Sequence, residues 1–92
     1  MKYLITGCAG FIGFHVAKYL INEGNHVIGV DSMNKYYDSD LKKARLKILA
    51  KNKRFLFTKG NLENKTILKK IILKFEPSVI IHLAAQAGVR YS

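Results

Sequence analysis

Tyr3-Leu4-Ile5-Thr6-Gly7-Cys8-Ala9-Gly10-Phe11-Ile12-Gly13 is a short apolar run that leads directly into three glycines at three-residue intervals. Gly7 can adopt the positive φ that turns a strand sharply into a helix. Gly10 lacks a Cβ, so phosphate groups can approach the backbone closely, and Gly13 allows the helix to pack against its strand. The N–H groups and the dipole of the first helical turn favour an anion, which makes a pyrophosphate the expected ligand.

An acidic residue closes the second apolar run. Asp31 follows Val30 and stands eighteen positions after Gly13, close to the offset of roughly twenty at which a carboxylate accepts hydrogen bonds from ribose hydroxyls. Ser32 comes next instead of an arginine that could neutralise a 2′-phosphate, so the sequence favours NAD over NADP. A Walker A loop is excluded, because Phe14 stands where that motif needs its lysine. The alternative is that the glycines serve only a tight turn.

Length and composition indicate one small domain of 92 residues. No apolar run approaches the roughly twenty residues of a membrane span, and no signal peptide precedes the first strand, so we expect a cytoplasmic protein. Cys8 is the single cysteine and suits packing inside the loop, with activation by the helix N-terminus as the alternative. His15, His26 and His82 are not spaced as metal ligands, so no metal site is expected.

The net charge of +10 raises the question of nucleic acid. One stretch without an acidic residue carries Lys42, Lys43, Arg45, Lys47, Lys51, Lys53 and Arg54. No aromatic residue interleaves these side chains before Phe55, and lysine is abundant along the whole chain. The pattern therefore favours a solvated helix face over a nucleic-acid surface, whose signature would be a steep salt dependence of binding.

Alternating patterns predict an α/β fold. Strands are expected at Lys2–Thr6, Asn25–Asp31, Arg54–Lys59 and Ser78–Ala84. A first helix is expected to open at the glycines and to end at Glu23-Gly24-Asn25, a second to run from about Leu41 to Lys53, and a third to follow Asn64 and run through about Phe75. Right-handed crossovers then give a partial Rossmann fold with about four parallel strands in the order 3-2-1-4 and about three helices. The crevice lies between the first and fourth strands, so residues after Leu83 lie beside a ligand on Gly10.

Helical spacing also predicts which side chains face inward. The expected inward residues are Phe11, Ile12, Val16, Leu20 and Ile21 in the first helix, Leu41, Ala44, Ile48 and Leu49 in the second, and Ile67, Leu68, Ile71, Ile72 and Phe75 in the third.

Thr6 to Gly13 matches Thr-Gly-x-x-Gly-Phe-Ile-Gly, so the chain resembles the extended short-chain dehydrogenase/reductase superfamily. Gly29 to Asp38, Leu41 to Leu46 and above all His82 to Ser92 look like UDP-glucuronate 4-epimerases. The resemblance implies that NAD oxidises a sugar nucleotide at C4 and returns the hydride to the other face of the ketone. The cofactor contacts that it implies are Gly7, Gly10, Phe11, Ile12, Gly13, Asp31, Asn34, Asn61, Leu62, Leu83, Ala84 and Ala85, and Arg90 is a candidate contact for a substrate phosphate or carboxylate.

The chain departs from the family at Gly60-Asn61-Leu62-Glu63-Asn64, where Gly-Asp-Leu-x-Asp is usual. The side-chain oxygen of Asn61 can still accept a hydrogen bond from the adenine amino group, and the loss of charge is expected to weaken NAD binding by about 1 kcal/mol. A helix cap is the alternative role for Asn61.

The chain contains no Tyr-x-x-x-Lys, which the family uses as its acid–base pair. We therefore expect the NAD-binding portion of a sugar-nucleotide epimerase, truncated before the catalytic and sugar-nucleotide parts and inactive alone. Two alternatives are a subunit completed by another chain and a non-catalytic NAD-binding or basic interaction module. An unpaired fourth strand, with its apolar run from Val79 to Leu83, predicts a site of aggregation.

Overall fold

The computed structural model describes residues 1–32, 39–60 and 65–83, in which strands and helices alternate along the chain. The elements are β1 (Lys2–Thr6), α1 (Phe11–Asn22), β2 (His26–Asp31), α2 (Ser39–Ala50), β3 (Phe55–Lys59), α3 (Lys65–Phe75) and β4 (Val79–His82). The four strands form one sheet in the order β3-β2-β1-β4 with parallel pairing throughout. This confirms the predicted partial Rossmann fold.

The register brings the carboxyl ends of the strands to one edge. Thr6 of β1 aligns with Val30 of β2 and with His82 of β4. Asp31 lies one position beyond Val30 and aligns with Lys59 of β3. The residues that follow β1, β2 and β4 therefore share the edge at which parallel sheets bind ligands.

Helices cover both faces of the sheet, and each face has its own core. One core joins α1 and α2 to the sheet and contains Ile5, Cys8, Phe14, Ala17, Ile21, Val27, Leu49 and Phe55. The other joins α3 to the sheet and contains Leu4, Ile28, Val30 and Ile71, with Ile67, Leu68, Ile72 and Phe75 packed against it. The predicted inward face of α3 is thus confirmed.

The predicted inward face of α1 is partly wrong. Phe11 and Ile12 are 66% and 63% exposed, whereas Phe14 and Ala17 are buried. At 100° per residue, the buried face is centred near Ala17, and both Phe11 and Ile12 point well away from that direction.

The predicted inward face of α2 is largely wrong. Leu41, Ala44 and Ile48 are exposed, whereas Leu49 is buried as predicted and Lys42 is buried against the prediction. The prediction counted only apolar residues and so took no account of a buried lysine. As a result, it rotated the buried face of α2 by about one residue from its true direction. Helix α2 begins two residues and ends three residues earlier than predicted. Its earlier end has a local cause: the side chain of Asn52 accepts a hydrogen bond from the N–H of Arg54 at 2.8 Å, which favours a turn over further helix.

Within the described ranges, no helix is long and apolar enough to cross a membrane.

Candidate functional site

The loop after β1 has the geometry that its glycines predict. Gly7 has a φ of +74°, in the left-handed region that glycine adopts without strain. Its N–H donates to the carbonyl oxygen of Val30 at 2.7 Å, and its own carbonyl accepts from the N–H of Gly10 at 3.1 Å. The chain thereby turns sharply from β1 into α1 at the edge of the sheet.

Gly13 and Gly10 meet different requirements. A Cβ on Gly13 would lie 2.1 Å from the carbonyl oxygen of Gly7, so only glycine permits the close packing of α1 on the loop. A Cβ on Gly10 would meet that same oxygen at 3.3 Å, and Gly10 has an ordinary φ of −72°. Gly10 thus leaves the approach to the helix open, while Gly13 is required by the fold itself.

The start of α1 can attract an anion. Gly10 occupies the N-cap without a side-chain hydrogen bond, and the first turn contains no acidic residue. The N–H groups of a first helical turn have no partner within the helix, and the dipole adds a partial positive charge there. Phe11 and Ile12, both predicted cofactor contacts, lie exposed in this turn.

Asp31 lies directly against the glycine loop. One of its carboxylate oxygens, Oδ2, accepts from the N–H of Ala9 at 3.1 Å, and the other, Oδ1, accepts from Nζ of Lys42 at 3.1 Å. The side chains of Asp31 and Lys42 are only 4% and 11% exposed. A carboxylate is an acceptor for ribose hydroxyls, and this one lies directly beside the loop.

Arg45, one turn after Lys42 on α2, contacts the same loop. Its Nη1 donates to the carbonyl oxygen of Ala9 at 3.0 Å, and its guanidinium carbon lies 5.9 Å from the centre of the Phe11 ring. Both backbone polar groups of Ala9 are therefore bound by side chains, one by Arg45 and the other by Asp31. The middle of the loop is held in position from α2.

Lys42 and Arg45 are the residues that the sequence analysis missed, since it assigned them to a solvated face. The available signal was their spacing with Leu46 and Leu49, which together form an i, i+3, i+4, i+7 set. Arg45 and Leu46 are half-buried, in keeping with this face.

Cys8 is buried between the loop and the sheet. Burial and, to a lesser extent, the negative charge of Asp31 raise the pKa of its thiol from 9.0 to about 12. A neutral thiol is a poor nucleophile, which supports the predicted packing role over an activated one.

The ends of β1 and β4 are joined beside this loop. The hydroxyl of Thr6 lies 2.8 Å from Nδ1 of His82, and it accepts from the N–H of Leu83 at 3.0 Å. Leu83, a predicted cofactor contact, thus lies next to the residue that precedes Gly7. The remaining predicted contacts lie outside the described residues: Asn34, Asn61, Leu62, Ala84, Ala85 and Arg90.

These residues fit a dinucleotide. The open approach at Gly10 and the first turn of α1 suit a pyrophosphate, and Asp31 lies at the neighbouring strand end, where a ribose would follow.

Known proteins are similar to this chain in sequence and in fold. The chain is 56% identical over 92 residues to Protein CapI of Staphylococcus aureus and covers 27% of that protein. It is 48% identical over 90 residues to a UDP-glucuronate 4-epimerase of Thermodesulfobacterium geofontis and covers 28% of it. The crystal structure of UDP-glucuronic acid 4-epimerase from Bacillus cereus, in complex with UDP-glucuronic acid and NAD, matches 98% of the chain with a TM-score of 0.83 and 40% identity.

The chain spans just over a quarter of the length of these relatives. The family model described as GDP-mannose 4,6 dehydratase matches residues 4–92, which is nearly the whole chain. The chain therefore belongs to the GDP-mannose 4,6 dehydratase family.

Proposed function

We propose that this chain is the NAD-binding part of a sugar-nucleotide 4-epimerase that acts on UDP-glucuronate. The observation that carries the proposal is the buried carboxylate of Asp31, which is bound to the N–H of Ala9 within the glycine loop. This contact supports the proposal, because a ribose acceptor and a pyrophosphate site that lie side by side fit one dinucleotide.

Each part of the site has a defined role in binding. The N–H groups at the start of α1 hold the pyrophosphate, and Gly10 lets it approach the backbone. Asp31 accepts hydrogen bonds from the ribose hydroxyls, and its charge-assisted bonds to Ala9 and Lys42 fix its orientation. Bound NAD would supply hydride acceptance and return at the sugar.

The proton transfers of such a reaction need an acid–base pair, and this chain contains no Tyr-x-x-x-Lys. We assign that pair and most of the sugar-nucleotide contacts to protein outside these 92 residues, on a longer chain or on a complementing one. Asn34, Asn61, Leu62, Ala84 and Ala85 remain proposed NAD contacts, and Arg90 a proposed contact to the sugar nucleotide.

We do not propose a nucleic-acid partner. Lys42 and Arg45 point inward and bind Asp31 and Ala9. These two members of the basic stretch therefore do not belong to a surface that could bind the phosphates of a nucleic acid. We propose a cytoplasmic location, in keeping with the single, reduced cysteine.

Isothermal titration of the 92-residue chain with NAD tests the proposal. We expect saturable binding that weakens about tenfold in Asp31→Asn, because a neutral amide replaces a charged acceptor. Glu23→Gln is the matched control, since Glu23 is an exposed acid at the far end of α1. A folded chain that does not bind NAD, or a Glu23→Gln variant as weak as Asp31→Asn, would contradict the proposal.

A further inference from the structure

Two hydrogen-bond donors converge on Asp31. Nζ of Lys42 and the N–H of Ala9 each lie 3.1 Å from a different oxygen of the carboxylate. A cation and a backbone N–H directed at one point constitute a site for an oxyanion, and carboxylate and phosphate oxygens are equivalent acceptors for such donors. In this protein the oxyanion is the side chain of Asp31 itself.

We propose that Lys42 and the N–H of Ala9 form an oxyanion site that Asp31 fills, so that the loss of this one carboxylate opens the site to the 2′-phosphate of NADP. Lys42 is then a determinant of cofactor specificity, and the inference rests on the proposed binding of a dinucleotide. The sequence alone favoured NAD because Ser32 is not an arginine; the structure supplies a cation from α2 instead.

The position of the site follows from hydrogen-bond geometry. A ribose hydroxyl that donates to Asp31 lies about 2.5 to 3.0 Å from a carboxylate oxygen. A phosphate ester on that hydroxyl would need the space that the carboxylate occupies, within reach of the same two donors. NADP is therefore excluded because the carboxylate already occupies the space that its 2′-phosphate needs.

Lys42 reduces the electrostatic repulsion between Asp31 and a 2′-phosphate. Its ammonium group lies at hydrogen-bond distance from Asp31, so the pair carries little net charge toward a 2′-phosphate. Removing the carboxylate changes the net charge of this pair from about zero to positive. One substitution thereby turns a neutral, filled site into an open, cationic one.

Contacts other than Asp31 hold the segment that carries the donors. Arg45 of α2 donates to the carbonyl oxygen of Ala9 at 3.0 Å, in the peptide that follows the one with the Ala9 N–H. The N–H of Gly10 donates to the carbonyl oxygen of Gly7 at 3.1 Å within the same loop. Lys42 lies on the same helix as Arg45, so we expect both donors to stay within reach of an opened site.

The test compares the dissociation constants of NAD and NADP by isothermal titration of the 92-residue chain and its variants. In Asp31→Ala, we expect the dissociation constant of NADP itself to fall by about tenfold or more, since two hydrogen bonds to a charged phosphate are gained, whereas that of NAD rises. In Asp31→Ala with Lys42→Met, the dissociation constant of NADP should return toward that of the wild type. Lys43→Met is the matched control, because Lys43 is an exposed lysine on the same helix.

Removing one member of a buried ion pair is destabilising, so circular dichroism must show that each variant is folded. Asp31→Ser is the second variant, because its short side chain vacates most of the space of the carboxylate and removes the charge but keeps a polar group for the two donors. We expect a smaller fall in the dissociation constant of NADP, about threefold, which Lys42→Met again reverses.

If Asp31→Ala does not fold, Asp31→Ser decides the question. An unchanged dissociation constant of NADP in the folded variant, or an equal fall in the Lys42→Met background, would overturn the inference while leaving the proposed binding of NAD to the wild-type chain intact. A wild-type chain that binds neither dinucleotide would instead overturn the proposed function, and this inference with it.

Discussion

Alanine at Gly13 and at Gly10 should have opposite consequences, although both glycines belong to one motif. A Cβ at Gly13 would lie 2.1 Å from the carbonyl oxygen of Gly7 and 3.0 Å from Cα of Cys8. Both neighbours are backbone atoms, so relief requires α1 or the loop to move by about 1 Å.

The expected cost of Gly13→Ala can be estimated from two opposing effects. Overpacking costs about 1 to 3 kcal/mol, and a clash with backbone falls at the upper end of that range. Alanine recovers up to about 1 kcal/mol through its helix propensity. We therefore expect the free energy of unfolding to decrease by about 2 kcal/mol or more.

Gly10→Ala should leave stability nearly unchanged and impair binding. Its new Cβ would meet one oxygen at 3.3 Å, and its φ of −72° suits alanine. The cost at an N-cap is about 0.5 kcal/mol, because glycine is only a moderate cap. The methyl group would, however, stand where the pyrophosphate approaches, so we expect NAD affinity to fall at least about tenfold.

Urea unfolding followed by circular dichroism gives the stabilities, and isothermal titration gives the affinities. A Gly13→Ala variant within about 0.5 kcal/mol of wild type would refute the packing argument. A Gly10→Ala variant that binds NAD like wild type would refute the proposed approach of the pyrophosphate.

Two further predictions concern the packing of Cys8. A Cβ on Gly29 would lie 2.6 Å from Sγ of Cys8 and 2.9 Å from the Phe55 ring. Gly29→Ala should therefore reduce the free energy of unfolding by about 1 to 3 kcal/mol. The reduction should be smaller in a Cys8→Ala background, and equal reductions in the two backgrounds would show that the sulfur is not the obstacle. Because burial and Asp31 raise the pKa of Cys8 from 9.0 to about 12, the unfolded thiol ionises first and stability should fall as the pH rises above about 9. Urea unfolding at pH 8 and pH 10 measures this decrease, and Cys8→Ala should show less of it.

Local chemistry was enough to predict the framework of this protein. The glycine turn, the alternation of strands and helices, the strand order and the position of Asp31 at a strand end all follow from glycine geometry, hydrophobic periodicity and the handedness of crossovers. The inward face of α3 was also predictable, because its buried residues are apolar and its basic residues lie elsewhere.

Only the tertiary structure decided which way α2 faces and what its basic residues do. Hydrophobic patterns treat every lysine and arginine as exposed, but Lys42 is buried against a carboxylate eleven residues away, and Arg45 reaches a carbonyl 36 residues away. Burying a cation is costly unless a partner compensates its charge, and that partner is known only once β2 and the loop after β1 are brought together. The sequence by itself therefore determined the site's framework, whereas the paired charges that hold its loop depended on long-range contacts.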